Sequence, residues 1–197
     1  EGVHVVYDGV GKTTFLKALK AHTEKNMAIV APTGVAAVNA GGVTIHSFFR
    51  LGIDLYPPGD HRIRTASAIR KYFTYNPAQK KVFEKLDLLV IDEVSMVRCE
   101  MLDLIDRLLK VYGGSDSTLP FGGKQIIFIG DPFQLPPVVK SDAQQILGSH
   151  YPSLFFFSSY AFKESNPVCI ELQKIYRQSD PDFISLLHEV RGQVQFG

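Results

Sequence analysis

Apolar residues in this chain occur in short runs, and polar or glycine-rich segments separate one run from the next. Runs that are apolar at nearly every position are typical of strands covered by helices on both faces of a parallel sheet. The predicted strands are Val3–Tyr7, Met27–Ala31, Leu88–Ile91, Gln125–Gly130 and 168–172. Residues 15–22, 101–109 and 183–190 instead repeat their apolar positions at helical spacing. The pattern predicts an α/β fold with a mostly parallel sheet and helices on both faces.

The third predicted strand ends abruptly in two acidic residues, Asp92 and Glu93. Ligands bind at the carboxyl edge of open α/β sheets, which is where this strand would place them. One carboxylate of such a pair suits a divalent cation, and the other can orient or deprotonate a water molecule. Two solvated acids that precede the next helix are an alternative that the pattern alone leaves open.

A glycine loop, DGVGKTT, joins the first predicted strand to the first predicted helix. Glycines let backbone N–H groups converge on a phosphate, and the helix N-terminus adds its dipole. Lys12 supplies a positive charge and Thr13 a hydroxyl for magnesium, so the order Gly-Lys-Thr is typical of a P-loop. An incidental GKT at a helix start is the alternative.

The loop departs from the full P-loop pattern at its beginning. The pattern requires a glycine five residues before Gly11, where this chain has Val6. The loop is therefore about two or three residues short. Either loop residues are missing between Tyr7 and Asp8, or the phosphate site is impaired.

Polar and aromatic side chains follow the second predicted strand, in the segment GGVTIHSFF. Its hydroxyls, imidazole and aromatic rings suit a nucleic-acid backbone and its bases. The candidates for such contacts are Thr44, His46, Ser47, Phe48 and Phe49. Core packing of Phe48 and Phe49, and a hydrogen-bonded structural role for His46, remain open as alternatives.

Two further strand ends carry candidate groups for phosphate chemistry. Asp131 and Gln134 follow the fourth strand in the turn DPFQLPPV, where a glutamine can reach a terminal phosphate or its attacking water. Arg177 follows the last strand, where a guanidinium could neutralise charge on a transferred phosphoryl group. A purely structural turn, and a surface arginine paired with Asp180 or Asp182, are the alternatives.

Composition is that of a globular chain, with 197 residues, 45% hydrophobic and 21% charged residues. No apolar run approaches the length of a membrane span and no signal-type segment begins the chain, so we expect an intracellular protein without a membrane partner. The two cysteines form no CxxC pair and suggest neither zinc nor a disulfide framework.

The net charge of +1 argues against a general polycation, although a local basic groove could exist. Residues 51–65, rich in prolines and charges, predict an exposed excursion outside the sheet. Basic residues concentrate here and just beyond, where they line a nucleic-acid track or form a solvated helix face. They are Arg62, Arg64, Arg70, Lys71, Lys80, Lys81 and Lys85.

Seven segments together resemble, in order, the motor motifs of the PIF (petite integration frequency) DNA helicases of superfamily 1, group B. The segments are VGKTT, APTGVAA, GGVTIHSFF, IDEVSM, PFGGKQ, IGDPFQLPPV and ELQKIYRQ. The resemblance spans almost the whole chain, and IDEVSM, TIHSFF and GDPFQLPPV distinguish it from RecD-like helicases, which remain the related alternative. It implies that residues 1–197 are a single RecA-like P-loop NTPase domain, the first of two motor domains, with the second absent.

The resemblance also implies a role for each matching residue. Nucleotide phosphates would contact Gly9, Gly11, Lys12, Thr13 and Thr14. Thr13 and Asp92 would hold magnesium, Glu93 would activate the hydrolytic water, Gln134 would sense the γ-phosphate, and Arg177 would be the arginine finger. The residues along single-stranded DNA would be Thr33, Gly34, Thr44, His46 and Phe48.

By the same resemblance the expected function is an ATP- and Mg²⁺-dependent DNA helicase that moves 5′ to 3′ on single strands. Its expected partners are single-stranded DNA, duplex or G-quadruplex junctions, and the second RecA-like domain, without which we expect no translocation. The expected location is the cytoplasm in a bacterium, and the nucleus or mitochondria in a eukaryote. A nucleic-acid-binding module with impaired hydrolysis, favoured by the short loop, and a P-loop kinase are the alternatives.

Overall fold

The computed structural model describes residues 3–7, 12–114, 116–131 and 135–171. Six strands of these residues form one sheet, in the order β3-β2-β4-β5-β1-β6, and the neighbouring strands pair in parallel. The strands are β1 (Val3–Tyr7), β2 (Met27–Ala31), β3 (Val43–Thr44), β4 (Leu88–Ile91), β5 (Gln125–Gly130) and β6 (Val168–Glu171). The five predicted strands are present, and β3 is an addition that is too short to show a sequence period.

Helices connect the strands, as the parallel pairing requires. They are α1 (Lys12–His22), α2 (Gly34–Ala40), α3 (Ile45–Phe49), α4 (Ala66–Tyr72), α5 (Pro77–Lys85), α6 (Cys99–Tyr112), α7 (Ser141–Gly148) and α8 (Tyr160–Ser165). The helices predicted at 15–22 and 101–109 correspond to α1 and α6, whereas the one predicted at 183–190 lies outside the described residues.

The sheet is covered on both faces, because alternate residues of β4 belong to different hydrophobic clusters. Leu89 and Ile91 belong to a large cluster that includes residues of α3, α4, α5 and α6. Leu88 and Val90 belong to a smaller cluster with residues of α1 and α2. This alternation explains why the sequence of β4 is apolar at every position.

Residues 51–65 lie outside the sheet, as predicted, but they are not uniformly exposed. Tyr56 and Ile63 are buried in the large cluster, so the prediction that residues 51–65 are exposed is wrong for these two. Arg62 donates to Asp60 at 2.7 Å and to Asp54 at 3.0 Å. The hydrogen bond between Arg62 and Asp60 holds the pKa of Asp60 below its usual value. Both bonds give this arginine structural partners within its own segment.

The pairing of the strands places their carboxyl ends along one edge. Tyr7 of β1 lies opposite Gly130 of β5, and Val30 of β2 lies opposite Ile91 of β4. The segments that follow these four strands therefore leave the sheet at similar levels. This edge, the carboxyl edge of the sheet, is the one that the sequence predicted to carry the functional residues.

Candidate nucleotide and nucleic-acid site

The acidic pair lies immediately after β4, at the carboxyl edge. The Asp92 N–H donates to Val30 O at 2.9 Å, and the residue is 8% exposed. Glu93 has a φ of +50° and begins a 3₁₀ turn, Val94–Met96. A left-handed conformation in a residue other than glycine costs of order 1–3 kcal/mol and is concentrated at functional sites. The surrounding structure therefore holds Glu93 in a strained turn.

Gly130 at the end of β5 allows the neighbouring strand to pack directly against this turn. A Cβ atom at Gly130 would lie 3.0 Å from both the backbone nitrogen and Cγ1 of Val94, and 3.3 Å from the backbone nitrogen of Ser95. Asp131, which follows, is 4% exposed. The absence of a side chain at Gly130 thus brings the ends of β4 and β5 into contact beside Glu93.

The two threonines predicted to contact DNA both cap helices. Thr33 Oγ1 accepts the Ala36 N–H at 3.2 Å at the start of α2, and Thr44 Oγ1 accepts the Ser47 N–H at 3.1 Å at the start of α3. A hydroxyl that accepts one such bond still has its own hydrogen to donate. Each threonine can therefore cap its helix and donate to a phosphate oxygen at once.

Gly34, the first residue of α2, has open space at its Cβ position, with no atom within 4 Å. It is exposed beside Thr33. A ligand backbone could approach the helix closely at this point, because no side chain would intervene. The DNA contact that the resemblance implies for Gly34 stays a prediction.

Thr33 and His46, which follow β2 and β3, line a common cavity of about 220 Å³. Its walls include Ile45, Met96, Arg98 and Met101. Burial lowers the pKa of His46, and the positive charge of Arg98 lowers it further. His46 therefore favours the neutral form, which can donate one hydrogen bond and accept another.

Phe48 is not among the residues that line this cavity. Its ring lies 4.9 Å from that of Phe49 and 5.7 Å from that of Phe83, in edge-on contacts. It also lines a separate groove with Met27 and Leu86. The packing role that the sequence left open accounts for the contacts of Phe48, and Phe49 is fully buried.

The remaining predicted residues divide into two groups. The backbone of Lys12–Thr14 forms the first turn of α1, so the helix begins where the P-loop pattern requires, and Thr14 is exposed. The side chains of Lys12 and Thr13 are not described. Four predicted residues lie outside the described residues: Gly9, Gly11, Gln134 and Arg177.

Sequence analysis did not select Arg98 as a functional residue, although it lines the cavity with Thr33 and His46. A signal was present, because Arg98 closes the segment that starts at the acidic pair and precedes α6. Any residue between a parallel strand and its following helix lies near the carboxyl edge. The charge of Arg98 at that location was the available clue.

The donors at the carboxyl edge fit a magnesium ion better than a transition metal. Asp92 offers a hard carboxylate oxygen, and magnesium characteristically takes one or two carboxylates together with substrate phosphates and water. Among the described residues, no three His, Cys, Asp or Glu side chains group as a protein-only metal site would require. Asp92 is thus a suitable ligand for a cation that arrives with a nucleotide.

These features define a class: a RecA-like P-loop NTPase domain, with a parallel sheet, a GKT-initiated helix after β1 and an acidic pair after β4. The model of the PIF1-like helicase family matches residues 4–191. The chain therefore belongs to the PIF1-like helicase family, as the motif resemblance implied. No helix in the described part of the chain combines the length and apolar character needed to cross a bilayer.

Curated relatives and solved structures agree with the family. The chain is 38% identical to the ATP-dependent DNA helicase PIF1 of Saccharomyces cerevisiae and 35% identical to that of Homo sapiens, with 93% of this chain covered in each case. It spans 20% and 26% of those two proteins. The structure of Pif1 helicase from Bacteroides in complex with ADP-AlF3 and ssDNA matches with a TM-score of 0.82 and 42% identity, over 99% of this chain and 43% of that one.

Proposed function

We propose that this chain is the first RecA-like motor domain of an ATP-dependent DNA helicase. Residues 1–197 would form that single domain, and a second RecA-like domain of the full-length protein would complete the motor. Joined to it, the domain couples ATP hydrolysis to 5′-to-3′ movement along single-stranded DNA and to unwinding at duplex or G-quadruplex junctions. The observation that carries the proposal is the acidic pair at the end of β4, with Glu93 in a left-handed turn against β5.

Each residue of the pair has a separate role in the proposed reaction. Asp92 and Thr13 hold magnesium, which offsets the charge of the phosphates when it is bound. Glu93 orients the attacking water and accepts its proton. Lys12 contacts the terminal phosphates, with Gly9, Gly11 and Thr14 beside it, while Gln134 and Arg177 act on the γ-phosphate.

In this proposal, single-stranded DNA binds along the part of the carboxyl edge that contains the cavity lined by Thr33 and His46. Thr33, Gly34, Thr44 and His46 offer hydroxyls, open space and a neutral imidazole along the ends of β2 and β3. Phe48 contributes indirectly, because its ring packs α3 against Phe83 of α5. A helicase that consumes ATP on DNA works inside the cell, in the cytoplasm of a bacterium or in the nucleus or mitochondria of a eukaryote.

The substitution Glu93→Gln in the full-length protein tests the proposed chemistry. Loss of a general base typically lowers a rate by about 10²- to 10⁴-fold, so DNA-stimulated ATP hydrolysis should fall by at least about 100-fold while a nonhydrolysable ATP analogue still binds. Glu84→Gln, at an exposed glutamate of α5, is the matched control and should leave turnover unchanged. Normal turnover in Glu93→Gln would remove the catalytic assignment and favour a binding module.

A further inference from the structure

Arg98 is held in place at its backbone and at its side chain. The N–H of the next residue, Cys99, donates to Leu154 O at 3.0 Å, and Arg98 forms an isolated antiparallel bridge with Phe155. Its Nε donates to Glu100 Oε1 at 2.6 Å. These contacts fix the plane of the guanidinium without using its terminal nitrogens.

The carboxylate that holds Arg98 is fully buried. Glu100 is 0% exposed, and its Oε2 has no hydrogen-bond partner among the described residues. Burial raises the pKa of Glu100, and Arg98 opposes that shift. A buried, half-satisfied carboxylate is unfavourable for stability. Glu100 therefore orients the Arg98 guanidinium at a cost in stability.

The terminal nitrogens of Arg98 remain available to a ligand. A guanidinium has five N–H donors, and the bond to Glu100 uses the one on Nε. Within the described part of the chain, the other four have no hydrogen-bond partner. The side chain is 24% exposed and lines the 220 Å³ cavity, in which it carries the permanent charge among the described lining residues.

The rest of the cavity suits a phosphodiester with its attached sugar. Thr33 contributes a hydroxyl hydrogen and His46 a neutral imidazole, while Ile45, Met96 and Met101 give apolar surface. A guanidinium beside such donors matches the geometry of a phosphate, which arginine can bind through two parallel bonds. The apolar wall can cover the sugar face.

The location of the cavity favours a nucleic-acid strand over the nucleotide. Its lining residues follow β2, β3 and β4, with Val138 from the segment after β5, whereas the P-loop segment follows β1, which lies beyond β5 in the sheet. Arg98 nevertheless closes the same segment that begins with Asp92 and Glu93. The short segment from Asp92 to Arg98 therefore connects the proposed hydrolytic residues to the proposed DNA track.

We propose that Arg98 contacts a backbone phosphate of single-stranded DNA, presented by buried Glu100 in the cavity that Thr33 and His46 share. This inference rests on the proposed function, because it assumes that DNA crosses this part of the carboxyl edge. Arg98 is then a further DNA-positioning residue, distinct from the motif residues named above.

The test measures single-stranded DNA affinity of the full-length protein across a range of salt concentrations. Loss of one phosphate contact on a single strand reduces the slope of log affinity against log salt by about 0.7. Arg98→Gln should lower the affinity about tenfold, reduce the slope by that amount and leave the affinity for an ATP analogue unchanged. The DNA concentration for half-maximal ATPase should rise, with the maximal rate retained at saturating DNA.

Three further variants separate a phosphate contact from a structural role. Arg98→Lys, which keeps the charge, should keep most of the slope. The double variant Arg98→Gln, Glu100→Gln removes both charges and leaves no unpaired carboxylate, so it folds even where the single variant does not, and its slope should still fall. Arg107→Gln, on the helix that Arg98 precedes, is the matched control, because Arg107 donates to Ile63 O at 3.1 Å. It should match the unsubstituted protein.

The outcomes distinguish this inference from the proposed function. An unchanged slope in both Arg98→Gln and the double variant, with normal DNA binding by the unsubstituted protein, would overturn the role of Arg98 alone. Recovery of the slope in the double variant would assign Arg98 to neutralising Glu100 and would also overturn it. Absence of single-stranded DNA binding by the unsubstituted protein would overturn the proposed function together with this inference.

Discussion

The aromatic cluster consists of Phe48, Phe49, Tyr75, Phe83 and Tyr112. It differs from the carboxyl edge of the sheet in whether its polar groups have hydrogen-bond partners. In the cluster, Tyr75 Oη donates to Phe49 O and Tyr112 Oη donates to Phe73 O, both at 2.7 Å. Burial raises the pKa of both tyrosines, so they stay neutral and bonded. At the carboxyl edge, the threonine hydroxyls and the Arg98 guanidinium keep donors that no described residue uses.

This difference indicates that the two regions contribute to different properties. Aromatic rings that pack on one another stabilise the fold. Because the tyrosine hydroxyls already donate to backbone carbonyls, these donors are not available to a ligand. A strained Glu93 and a half-satisfied Glu100 lower stability but hold functional groups in fixed positions. Substitutions in the cluster should therefore change stability, and substitutions at the edge should change binding or turnover more than stability.

The largest stability effect should follow Phe83→Ala in the cluster. Phe83 is 1% exposed, and its ring contacts those of Phe48, Phe49 and Tyr75. Removal of a buried phenylalanine ring costs about 3–5 kcal/mol of the free energy of unfolding, which denaturant titration would measure. Lys81→Ala, exposed on the same helix, should change it by less than about 0.5 kcal/mol. Similar small losses for both would contradict a stabilising role for the cluster.

Gly130→Ala should have an intermediate effect on stability and a large one on turnover. The added methyl group would press on the backbone of the turn that begins at Glu93, and overpacking of this kind costs about 1–3 kcal/mol. We expect the ATPase rate of the folded fraction to fall as well, because the turn must shift. Gly148→Ala, whose Cβ would meet no atom within 4 Å, is the control. Unchanged hydrolysis in Gly130→Ala would show that the turn tolerates displacement.

The smallest stability effect should come from the helix caps, where the two regions can be compared directly. Thr33→Ala and Thr65→Ala each remove a threonine cap, from α2 and α4 respectively, and each should cost about 1 kcal/mol. Only Thr33→Ala should also weaken single-stranded DNA binding, since Thr65 is absent from the proposed track. Thr33→Ser should restore both properties. Equal DNA affinity in the two alanine variants would show that Thr33 does not contact single-stranded DNA.

Much of the sheet could be predicted because its strands are marked by composition. β4 and β5 are apolar runs that stop at acidic residues, so both their positions and their edge followed from the sequence. β3 could not be predicted, because two residues show no alternation. The burial of Tyr56 and Ile63 was also missed, since prolines and charges around them indicate exposure and only tertiary packing covers them.

The sequence predicted which residues lie at the strand ends, but it did not predict which of them line the same cavity. Strand ends placed Thr33, His46 and Asp92 at one edge, but the sequence does not state distances across it. It therefore grouped Phe48 with His46, although α3 carries the Phe48 ring to another groove. It omitted Arg98 because its partner, Glu100, looks like an ordinary helix residue until its burial is known.

The pairing of β1 has a consequence for the order in which the chain can fold. Val3 lies opposite Ile126, and His4 lies opposite Val168, so both strands that pair with β1 follow β2 and β4 in the chain. Pairings between distant segments form slowly, because a long loop must close before they contribute. On the ribosome, β2 and β4 can pair well before β1 has any partner. The helix that begins at Lys12 would then reach its final place only when the synthesis of β5 is complete.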